Sequence, residues 1–100
     1  MIIVTKITQQ NKTRIVTICP SPLVLPFRFG EEKENEVIVP AISNLRLEYD
    51  DGKILMTPSS SVYRLDGLVE AKINPGIKIV LQEKNAFRVG ETTFEFTIDH

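Results

Sequence analysis

The feature that most restricts this chain is its rhythm: short runs rich in Val, Ile, Thr and Phe recur between turn residues from one end to the other. Helix signals are nearly absent. Regularly spaced short strands with Gly, Pro, Asn and Asp between them are the signature of an all-β sandwich or barrel.

Strands are expected at Ile2 to Thr8 and Arg14 to Cys19, around the polar link Gln9 to Thr13, then at Leu25 to Gly30 after the breakers Pro20 and Pro22. Glu31 to Asn35 reads as a charged loop. Further strands are expected at Glu36 to Val39, Leu45 to Tyr49 and Lys53 to Met56, the last two joined at Asp50-Asp51-Gly52. Val62 to Leu65 and Leu68-Val69 bracket Asp66-Gly67, which suits a two-residue type I′ turn. Asn74-Pro75-Gly76 leads into Ile77 to Leu81, and Ala86 to Val89 passes through Gly90-Glu91 into Thr92 to Ile98. The sum is about eleven strands, mainly antiparallel. In the last pair Phe87, Val89, Phe94 and Phe96 alternate with polar residues, so one face is a core candidate.

At 100 residues, with no internal repeat, low-complexity tract or linker, residues 1–100 read as a single domain around one core. Twelve basic against thirteen acidic side chains leave a net charge of −1, which supplies no field for steering onto nucleic acid or an anionic membrane. No apolar run approaches the roughly 20 residues a spanning helix needs. The N-terminus carries no signal-peptide pattern, and a cytoplasmic address is expected.

Catalysis is not expected. Cys19 is the only cysteine and His100 the only histidine, so an internal disulfide and a Cys/His zinc cluster are both out of reach, and no cofactor is expected. Cys19 reads as a buried strand residue. Asp50-Asp51 reads as a tight turn, since Gly52 follows it and the spaced oxygen ligands of a calcium loop are missing.

The C-terminal order Pro75-Gly76, Leu81, then Phe87-Arg88-Val89-Gly90-Glu91-Thr92-Thr93-Phe94-Glu95-Phe96 resembles the closing segment of a forkhead-associated (FHA) domain. Earlier pieces follow in that family's order. Leu25 to Gly30 resembles the strand before its glycine-arginine pair, and Asn35 to Pro40 its asparagine-acidic-isoleucine-proline element. Ser43-Asn44-Leu45-Arg46 occupies the place of the Ser-Arg-x-His signature, Ser59-Ser60-Ser61 that of serine-x-asparagine-glycine, and Asp66-Gly67 that of a second asparagine-glycine. The resemblance spans about residues 25 to 96 and implies an FHA-like sandwich that binds phosphothreonine peptides at one end.

The residues that carry that activity are largely replaced. Gly30 is followed by Glu31 where the family has its phosphate-binding arginine, and a carboxylate there repels a phosphate dianion by about 1 to 4 kcal/mol. Ser43 persists, Asn44 replaces the basic residue after it, and Arg46 replaces the histidine that buttresses the loop. Ser61 stands for the asparagine that grips peptide backbone, with one hydroxyl instead of an amide. Gly30, Glu31, Ser43, Asn44, Arg46, Ser60 and Ser61 are therefore the expected partner-binding residues. Arg28, Lys33 and Arg46 read as solvated charges, and otherwise as cations able to rebuild a phosphate site from neighbouring positions.

The resemblance thus implies a non-catalytic protein-protein interaction module, phosphate-independent, of the kind found within larger signalling or secretion-system proteins. A phosphothreonine reader with a rearranged pocket is the alternative. A small nucleic-acid-binding barrel ranks below both, because Tyr49, Tyr63 and scattered lysines do not make a stacking platform.

Overall fold

The structure is a computed structural model that describes residues 1–19 and 26–99. Among the described residues there are eleven strands, β1 (Ile2–Gln9), β2 (Lys12–Ile18), β3 (Phe27–Gly30), β4 (Val37–Ile38), β5 (Leu45–Asp50), β6 (Lys53–Pro58), β7 (Val62–Asp66), β8 (Val69–Ile73), β9 (Ile79–Val80), β10 (Lys84–Val89) and β11 (Thr92–Asp99). They form a six-stranded sheet, β2-β1-β11-β10-β7-β8, and a five-stranded sheet, β4-β3-β5-β6-β9. All pairings are antiparallel except β3 with β4. The all-β, two-sheet expectation holds, and among the described residues no helix is long and apolar enough to cross a membrane.

Alternation fills the core as the sequence pattern requires. Phe87, Phe94 and Phe96 point inward from β10 and β11 and are fully buried, with Ile3 and Ile7 beside them on β1. From the other sheet Phe29 meets Phe94 and Phe96 with ring centroids 5.8 and 6.1 Å apart, tying the two sheets together. Leu45, Leu47, Ile54 and Met56 complete the layer.

The turns depart from expectation in instructive ways. Gln10 and Asn11 both hold left-handed φ, +52° and +61°, so a two-residue type I′ turn replaces the expected longer link and both strands extend toward it. Asp66-Gly67 is not the centre of a type I′ turn: Asp66 pairs with Val69, and only Gly67 has positive φ, at +62°, which makes Gly67-Leu68 a type II′ turn. That register sets Ile73 opposite the buried Val62, where a turn one residue earlier would set Ala71. Between β8 and β9, Asn74-Pro75-Gly76-Ile77 forms a type II turn with Gly76 at φ +82°, and β9 shrinks to two residues.

Cys19 is exposed rather than buried. Ile18 takes the last inward place, opposite Ile3, and strand alternation turns the next side chain out. The start of the expected strand at Leu25, the Pro20-Ser21-Pro22 breaker and His100 lie outside the described residues.

Candidate functional site

Strand directions bring the expected site residues to one end of the sandwich. The C-terminal ends of β3 and β6 and the N-terminal ends of β5 and β7 all lie there, so Gly30, Ser43, Asn44 and Ser61 share that end. The β1–β2 turn joins them: Gln9 Nε2 donates to the Pro40 carbonyl at 2.7 Å and to Thr92 Oγ1 at 3.1 Å. Asp51-Gly52 and Gly67-Leu68 turn at the opposite end.

Two asparagines brace this end. Asn35, buried in the β3–β4 connection, donates from Nδ2 to the Glu32 carbonyl at 3.0 Å and to Asn44 Oδ1 at 2.9 Å. Asn44 in turn receives, at its carbonyl, both the backbone N–H and the hydroxyl of Ser59, each at 2.9 Å. Three connections are thereby pinned to one another. Gly30 is required beneath them, because a Cβ there would overlap Asn44 Oδ1 and stand 2.8 Å from Asn35 Nδ2. The Gly30 carbonyl accepts the Val39 N–H at 2.8 Å, and the Glu31 N–H donates to the Ile42 carbonyl at 3.1 Å. Pro40 is followed by Ala41 in a left-handed conformation, φ +63°, a strain of about 1–2 kcal/mol that this bonding holds in place.

The exposed rim differs in kind from the brace. Glu31 presents its carboxylate to solvent, Ser43 is exposed, and Ser60 and Ser61 are half-buried. None of these three hydroxyls makes a hydrogen bond among the described residues, so they stand ready for a partner. Asn44 turns inward onto Asn35 and acts as a strut, with its Oδ1 occupied. Arg46 does not buttress the loop. It lies on the outer face of β5, side chain half exposed, with Nε 3.6 Å from Glu48 Oε1.

A groove of about 520 Å³ runs from this end over the five-stranded sheet, lined by Arg28, Asn44, Arg46, Thr57 and Ser59 and walled by Pro58, Pro75 and Gly76. Lys33 is exposed elsewhere on the loop and does not line it. Among the described residues no three His, Cys, Asp or Glu side chains converge, so the run Glu31, Glu32, Glu34 and Glu36 is spread out rather than gathered into a cage.

The sheet opposite carries a closed counterpart. Arg88 reaches Glu70 Oε2 from Nη2 at 2.7 Å and Oε1 from Nε at 3.2 Å, gives Nη1 to the Gly90 carbonyl at 2.9 Å, and lies 4.5 Å over the Tyr63 ring. The hydrogen bonds from Arg88 hold the Glu70 carboxyl below its ordinary range. Tyr63 is thus engaged on one sheet while Tyr49 lies on the other, and the two rings share no face.

Sequence reasoning missed Asn35 and Ser59 as struts and the adjacency of Arg28, Arg46 and Thr57. The buried asparagine had a signal, its place at the head of the asparagine-acidic-isoleucine-proline element, whereas the adjacency depends on strand register. The class that this geometry defines is a two-sheet β domain with loops braced at one end. No known family model matches the chain, and comparisons with curated proteins and with solved structures give no match.

Proposed function

We propose that this chain is an FHA-like protein-protein interaction module that has lost its phosphate site and meets a protein partner through the braced loop end, without catalysis. One observation carries the reading. Gly30, Ser43, Asn44 and Ser61, picked out by separate pieces of a family pattern, are brought to the same end, and the exposed group following Gly30 is the carboxylate of Glu31. A phosphate held there gains the Ser43 hydroxyl and meets the Glu31 charge, with no guanidinium in the arginine's place. Bracing by Asn35 and Asn44 supports binding of a partner at low ordering cost, because the rim is already fixed before contact.

Titration of the whole chain with a degenerate phosphothreonine peptide library and its unphosphorylated counterpart tests this. Equal binding of the two pools is expected. Micromolar binding that requires the phosphate and disappears in Ser43→Ala overturns it in favour of a rearranged phosphothreonine reader.

A further inference from the structure

The outer face of the five-stranded sheet carries a cationic fork that the fold leaves unused. Register sets Arg28 opposite Arg46, and Arg46 opposite Thr57, so the three side chains form one row across β3, β5 and β6. Side chains paired in this way have Cβ atoms about 5 Å apart, and like charges there repel.

The two arginines are treated differently. Arg28 is partly engaged: Glu36 Oε2 accepts its backbone N–H at 3.0 Å and lies 3.5 Å from its Nε, which is buried and makes no hydrogen bond among the described residues, and its Nη2 donates to the Glu34 carbonyl at 3.0 Å. Arg46 has only the 3.6 Å approach of Glu48 to Nε, and its two terminal nitrogens have no acceptor among the described residues. Next to it Thr57 Oγ1 is buried with no hydrogen-bond partner. A buried hydroxyl left unpaired is costly, and both it and Arg46 line the same groove of about 520 Å³.

We propose that this groove binds the side-chain carboxylate of an aspartate or glutamate in an extended partner peptide, with the Arg46 terminal nitrogens as a bidentate fork and the Thr57 hydroxyl, now enclosed and unpaired, as a further donor once its χ1 turns toward the groove. The inference rests on the interaction-module reading and gives the partner its chemistry. A planar carboxylate matches the guanidinium edge. Net charge does not draw an anion here, since Glu36 and Glu48 sit beside the two arginines and Glu31, Glu32 and Glu34 are exposed on the neighbouring loop; the gain comes from short hydrogen bonds at the Arg46 fork, and the surplus negative field costs a phosphate dianion twice what it costs a carboxylate. Pro58 and Pro75 supply an apolar wall for the methylene stem and backbone of the same residue.

The test uses the ¹⁵N-labelled chain and degenerate nonapeptide pools whose central residue is fixed as Glu, Gln or phosphothreonine. The Glu pool should bind about tenfold more tightly than the Gln pool, a difference that Arg46→Gln abolishes and Thr57→Val, isosteric but without the donor, reduces about threefold. Arg46→Lys keeps the charge and the fold while losing the fork, and it should fall between wild type and Arg46→Gln. Equal binding of Glu and Gln pools, with amide shifts at Gly30, Ser43 and Ser61, overturns the carboxylate site and leaves the loop-end reading standing. A phosphothreonine pool that binds more tightly than the Glu pool, or no shift with any pool, overturns both.

Discussion

Arg88 on the outer face of the six-stranded sheet and Arg46 on that of the five-stranded sheet are put to opposite uses. Arg88 on the six-stranded sheet is spent, with hydrogen bonds to Glu70 and Gly90 and a ring beneath it. Arg46 on the five-stranded sheet is held loosely by Glu48 and faces a groove beside an unpaired hydroxyl. Residue type is the same, and the difference lies in what the neighbouring strands set opposite each one. A saturated arginine stiffens a sheet, and an unsaturated one is available to a partner.

Both faces stand on one core, and removing it should have the largest effect. Phe96→Ala, which deletes a fully buried ring packed on Phe29, Phe87 and Phe94, should cost about 3–5 kcal/mol in urea unfolding. A loss below about 1 kcal/mol means the two sheets do not share that layer. Gly30→Ala should follow at about 1–3 kcal/mol, through overlap with Asn44 and Asn35 rather than through backbone strain. Combining it with Asn44→Ala should give less than the sum of the two single losses, since the nearer of the two overlapping atoms is then gone and only Asn35 Nδ2 remains.

The arginines themselves come next. Arg88→Ala should lower Tm. The partner carboxylate has a depressed pKa, so the stabilisation of the pair is complete above the ordinary glutamate range and is lost as pH falls through the lowered value. Tm measured from neutral to acid pH should therefore lose part of its acid slope in Arg88→Ala, and an unchanged slope would break the contrast. Arg46→Gln should give the smallest effect on stability, within about 0.5 kcal/mol, while removing carboxylate binding.

Much of the fold is written in the sequence because alternation and turn chemistry act locally. Phe87, Phe94 and Phe96 declare an inward face by their spacing, and Pro75-Gly76 and Asp51-Gly52 close turns where those residues favour them. Errors arise where a choice is settled at longer range. The β7–β8 turn moves to Gly67-Leu68 because that register sets Ile73 beside Val62, and Cys19 faces out because Ile18 has already met Ile3. The site divides in the same way. Glu31 and Ser43 are legible as rim chemistry, but Asn44 reads as a lost cation when it is a strut, and the row of Arg28, Arg46 and Thr57 exists only once three strands are aligned.

An amide chemical-shift map of the ¹⁵N-labelled chain, titrated with a peptide selected from the Glu pool, tests most directly the claim that the loop end and its groove are the working surface. The largest shifts should fall on Gly30, Ser43, Arg46, Thr57 and Ser61, with Tyr63, Glu70 and Arg88 unmoved. Shifts centred on Arg88 and Tyr63, with the loop end silent, would contradict it.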